Sequence, residues 1–186
     1  KTVVFSGDLG NAGTPIMQPT QIPKSADAVV MESTYGGRVH EPVGEREEIL
    51  RQTIVDTIKS GGVLMIPAFA IERTQELLYE IDQLQKQSKI PKVPIFLDSP
   101  LAIAATAVFE RYINPDFFHF PGLIRTQTVA ESKKINDVAG AKVIIAGAGM
   151  MHGGRILHHL KRYLPDERST LLVVGYQAEG TLGRQL

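Results

Sequence analysis

The chain has 186 residues and a formal net charge of zero, with 20 basic and 20 acidic side chains. A content of 43% hydrophobic and 22% charged residues is that of a globular protein, and zero net charge leaves any nucleic-acid binding to a local patch. The absence of cysteine excludes disulfides, thiolate catalysis and Cys-ligated zinc, and fits a cytoplasmic location.

The first element is an apolar strand over residues 2–6 (TVVFS), running out at Gly7-Asp8. Residues 9–27 are rich in Gly and Pro and read as a linker. A second strand over 28–32 (AVVME) ends on Glu32, before Ser-Thr-Tyr-Gly-Gly. Residues 45–59 place Ile49, Leu50, Ile54 and Ile58 at helical spacing, and Gly61-Gly62 stops that helix. A strand over 63–67 (VLMIP) precedes a helix over 73–87 carrying Leu77, Leu78, Ile81 and Leu84. A strand over 93–97 (VPIFL) leads into an Ala-rich helix over 100–112, with Pro100 suited to its first turn. Residues 113–126 read as an aromatic loop, and 127–138 as a helix. A strand over 142–146 (KVIIA), a helix over 153–163 and a strand over 170–175 (TLLVVG) follow, and the last residues begin another helix. No apolar run approaches the roughly 18 residues of a membrane span, and there is no signal-peptide pattern, so no membrane partner is expected. The chain opens on Lys1 inside a strand pattern and stops inside a helical one, which reads as a piece of a longer protein.

The strands are apolar on both faces and alternate with helices. This predicts an α/β fold: a mainly parallel, Rossmann-like sheet with helices on both faces. In such a sheet the carboxyl ends of the strands share the edge where ligands bind. Asp8, Glu32 and Asp98 all fall at strand ends.

Asp8, in SGDLG, reads either as a metal-binding carboxylate that small neighbours leave approachable or as an ordinary turn aspartate. Local sequence favours the turn. Residues 147–154 (GAGMMHGG) lack the third glycine of a dinucleotide fingerprint, and the next strand lacks a ribose-binding acid. They read as a turn that lets strand and helix pack closely. His158 and His159 project about 100° apart on a helix, so they read as a solvated face. His40 and His119 lie in loops. Arg38, Arg73 and Arg155 follow strand ends; they read either as phosphate contacts, helped by helix N-termini, or as plain surface arginines.

Several blocks together carry a more specific signal. FSGDLG, VVMESTYGGRVHE, GGVLMIPAFAIERTQELL, IFLDSPLA and GRILHHLKRYLPDERSTLLVVGYQAEGTLGRQL resemble the β-CASP branch of the metallo-β-lactamase superfamily. These are zinc-dependent RNA nucleases, among them the nuclease subunit of the cleavage and polyadenylation specificity factor and its bacterial and archaeal relatives. The resemblance covers essentially the whole chain, in order. It implies that Asp8 is the aspartate that bridges two zinc ions. It implies that Glu32 is the acidic residue that orients a histidine beside the scissile phosphate. It further implies that residues 1–10 close a metallo-β-lactamase domain, 11–24 form a linker, and 25–186 are the β-CASP domain.

The family's His-x-His-x-Asp-His motif, its third-motif histidine and its two later histidines have no counterpart in this sequence, so no histidine takes a family role. The chain alone is therefore expected to be inactive and to bind no stoichiometric zinc, with two zinc ions in the complete protein. RNA, the missing lactamase domain and a possible homodimer are the expected partners, with Arg38, Arg73 and Arg155 on one wall of the RNA cleft. The alternatives are a non-catalytic RNA- or partner-binding relative that lost its metals, or a nucleotide-binding Rossmann-like domain.

Overall fold

The structure, a computed structural model, describes residues 1–8, 15–37, 39 and 42–186. Arg38, His40 and some of the expected linker lie outside the described residues. In chain order the elements are β1 (Val3–Phe5), β2 (Ala28–Val30), α1 (Val43–Ser60), β3 (Val63–Pro67), α2 (Arg73–Lys86), β4 (Ile95–Asp98) and α3 (Pro100–Tyr112). A 3-10 helix (Pro115–Phe118), β5 (Leu123–Arg125), α4 (Val129–Lys134) with a 3-10 turn (Ile135–Asp137), β6 (Lys142–Ala146), α5 (Ile156–Tyr163), β7 (Thr170–Leu171) and α6 (Leu182–Gln185) follow.

Five parallel strands make the main sheet, in the order β5-β4-β6-β3-β7. The α/β fold with a parallel, Rossmann-like sheet is therefore as the apolar runs predict. Alternation divides the core into two layers, because successive strand side chains point to opposite faces. Leu64, Ile66, Ile95, Leu97, Val143 and Ile145 pack on one face with residues of α1, α2 and α3. Met65, Phe96, Ile144 and Ala146 pack on the other with Ile135 and with Ile156 and Leu160 of α5.

Three expectations change. The strands do not share one sheet: β1 and β2 pair with each other in a separate two-stranded parallel sheet. A boundary at residue 25 would thus separate strands that are hydrogen-bonded to each other. The aromatic loop over 113–126 contains both a 3-10 helix and an edge strand, β5, three residues long and too short for its period to register. The last strand shrinks to Thr170–Leu171, since only Leu64 and Met65 of β3 face it.

Candidate active site

Val3, Val4 and Phe5 lie opposite Ala28, Val29 and Val30. The backbone N–H of Ser6 donates to the Val30 carbonyl at 2.9 Å, carrying the pairing one step further. Parallel pairing makes both segments leave from the same end, so Asp8 and Glu32 emerge at one edge of this small sheet. Both are exposed. A tight turn follows Glu32, closed by the Gly36 N–H donating to the Ser33 carbonyl at 2.9 Å. The Thr34 N–H donates to Glu32 Oε2 at 2.7 Å, and this bond holds the Glu32 carboxyl below its ordinary pKa. Glu32 is thus aimed by its own turn. The Tyr35 ring meets Tyr176 edge-on, with centroids 5.7 Å apart, which ties the turn to the segment leaving β7.

Among the described residues no group of three His, Cys, Asp or Glu side chains converges to hold a metal. Asp8 supplies one carboxylate, where zinc takes about four donors. The described residues do not compose a two-zinc centre by themselves.

The third strand-end carboxylate has a different setting. Asp98 is fully buried and accepts four hydrogen bonds. Thr126 Oγ1 and Arg155 Nη1 donate to Oδ1 at 2.6 and 2.8 Å. Ser132 Oγ and His159 Nε2 donate to Oδ2 at 2.6 and 2.7 Å. Burial pushes the carboxyl pKa up, but the bonds from His159, Ser132, Thr126 and Arg155 outweigh it and hold the group well below the usual carboxylate range. An ionised carboxylate therefore gathers β4, β5, α4 and α5 at one end of the sheet.

This cluster corrects two expectations. Arg155 directs its guanidinium into the protein: besides Asp98, it donates to the carbonyls of Thr126 at 2.9 Å and Gln127 at 2.8 Å. Its side chain is only 18% exposed, so the geometry makes it a clamp rather than a phosphate contact. His159 is buried, not on a solvated face, while His158 remains exposed. The signal was legible: Ile156, His159, Leu160 and Tyr163 fall at helical spacing on the apolar stripe of α5. Arg73 does open α2; it is 38% exposed and ion-paired to Glu76 at 2.7 Å. The turn over 147–154 packs tightly, as its glycines suggest. A Cβ on Gly154, at φ +77, would stand 2.4 Å from the Gly147 carbonyl oxygen.

The Beta-Casp domain model matches residues 74–186. Ribonuclease TTHA0252 of Thermus thermophilus is 38% identical over 100% of this chain and 46% of its own length. Endoribonuclease ysh1 of Schizosaccharomyces pombe is 33% identical over 99% of the chain and 26% of its own length. Transcription termination factor FttA of Methanosarcina mazei is 33% identical over 99% of the chain and 31% of its own length. The chain thus spans between about a quarter and just under half of these curated relatives.

Proposed function

Because the chain belongs to the Beta-Casp family, we propose that it forms the β-CASP portion, with an adjoining strand pair, of a metal-dependent ribonuclease that hydrolyses RNA phosphodiester bonds. The carrying observation is the placement of Asp8 and Glu32 at one end of paired parallel strands, β1 and β2. Asp8 offers a carboxylate to a metal, proposed as zinc, whose other donors come from outside the described residues. Glu32, pre-aimed by Thr34, orients a basic group beside the scissile phosphate. The pairing of β2 with β1 supports a domain boundary after Val30 rather than at residue 25. Arg73 is the described basic side chain we assign to the RNA wall.

The test uses the complete gene product, with bound metal and cleavage of single-stranded RNA measured together. Asp8→Ala is expected to lose both metal and cleavage. Glu32→Ala is expected to keep the metal and lose cleavage by about 10- to 100-fold, as for residues that orient a metal site from one step away. Unchanged cleavage by Glu32→Ala would overturn its role, and a metal-loaded wild type that cleaves no RNA would overturn the ribonuclease reading.

A further inference from the structure

From β3 the chain passes to α2 on one face of the sheet, and from β6 to α5 on the other. Neighbouring parallel strands that diverge in this way open a crevice beyond their carboxyl ends, the usual ligand position in such sheets. The same divergence occurs between β4 and β6, but there Asp98 and its partners fill the space. At the β3–β6 crevice stands Phe69, whose surface is 41% exposed.

The Phe69 turn is held rigidly. The Ala68 N–H donates to the Ala146 carbonyl at 3.1 Å. Thr74 Oγ1 donates to the Phe69 carbonyl at 2.6 Å, and Gln75 Nε2 to that of Ala70 at 3.1 Å; both side chains are buried. The Arg73 N–H donates to the Ile71 carbonyl at 2.9 Å around Glu72, at φ 66 and ψ −66. That is the rare, strained form of γ-turn, and backbone strain of this kind collects at ligand sites. A Cβ on Gly149 would come within 3.0 Å of the Phe69 ring, and one on Gly175 within 3.5 Å, so two bare glycines make the seat of the ring. Tyr176, also 41% exposed, follows Gly175 and meets Tyr35, which stands three residues from Glu32. The fold thus fixes an aromatic ring with buried polar side chains yet leaves it in water. Gly175 under that ring, the adjoining Tyr176 and its edge-on partner Tyr35 lead from Phe69 to the turn that follows Glu32. Held aromatic side chains that stay partly exposed at a ligand edge, as Phe69 and Tyr176 do, fit flat π-systems.

We propose that Phe69, with Tyr176 and Tyr35, is a stacking platform for the nucleobases of single-stranded RNA beside Glu32. The proposal rests on the ribonuclease reading above. Stacking tolerates every base, because each has a π-face, so the platform would set affinity and strand position rather than sequence.

The test measures KM and kcat of the complete gene product on single-stranded RNAs in which one abasic nucleotide is walked along the strand. Phe69→Ala is expected to raise KM by about 10- to 100-fold with kcat near wild type, while Phe69→Trp keeps KM. One abasic position should raise the wild-type KM and add nothing in Phe69→Ala. An unchanged KM in Phe69→Ala, or an equal abasic penalty in both proteins, would overturn the platform. Should Phe69→Ala lose its circular dichroism, Tyr176→Ala decides by the same KM and abasic coupling. Wild-type cleavage with an unaffected Phe69→Ala sinks the platform alone. A wild type that cleaves no RNA sinks the ribonuclease reading and the platform with it.

Discussion

Asp98 and Glu32 are both strand-end carboxylates, in opposite settings. Glu32 is exposed and carries its charge in water, where the Thr34 N–H only lowers its pKa further. Asp98 is buried from solvent, so its charge is sustained by the four donors around it. Removing the carboxylate would take from the Arg155 guanidinium its anionic partner, leaving it two carbonyls, and from the His159 imidazole its Nε2 acceptor. Asp98→Ala is therefore expected to destabilise the chain by about 3–5 kcal/mol, read from denaturant midpoints. The pH dependence follows from linkage. Below the ordinary value of 3.8, the unfolded carboxyl takes up a proton that the folded one refuses, so stability falls as pH falls. Above that value the contribution is fully present; it drains away as pH drops toward the lowered folded pKa. Asp98→Asn should give a shallower loss of stability with acid, measured by denaturant unfolding across acidic pH; an identical slope would show that Asp98 does not carry it.

At the scale of elements, the boundaries follow local chemistry where a cap exists. Ser99 accepts from the Ala102 N–H at 3.3 Å and Pro100 stands at the first turn, so α3 begins where the sequence predicts. The reading of residues 127–138 as a helix is half right. Thr128 and Glu131 form a capping box: Thr128 Oγ1 accepts from the Glu131 N–H at 3.2 Å, and Glu131 Oε2 accepts from the Thr128 N–H at 2.9 Å. The segment then tightens into a 3-10 turn at Ile135, whose side chain is buried in the second core layer. Thr128→Ala should cost about 1 kcal/mol, seen as a lower denaturant midpoint with an unchanged slope. A change in the slope would mean that the cap governs more than its helix.

For the whole molecule, the division into two sheets is the dominant fact. The five-stranded sheet is covered on both faces and holds the buried core. The β1–β2 pair leaves Val3, Phe5, Val29 and Val30 exposed, and a two-stranded sheet is marginal in water. Amide hydrogen exchange of this chain should therefore show β1 and β2 opening far more readily than β3 and β6. Equal protection in both sheets would contradict that division. A contact of rings, Tyr35 against Tyr176, joins the turn after β2 to the segment after β7, three residues along the chain from Glu32.

Taken by itself, the sequence determined the strand and helix alternation, the α/β class and the family, because periodicity and block order are local properties. It also placed Asp8 and Glu32 at strand ends. Tertiary structure alone decided which strand pairs with which, because an apolar run encodes its faces but not its neighbours. It moved β2 out of the main sheet, turned Arg155 inward, and gave Arg155 and the stripe-facing His159 a common acceptor. Their acceptor, Asp98, lies 57 and 61 residues away in the chain. A buried charge is tolerable only with such distant partners in place, and no local pattern announces them.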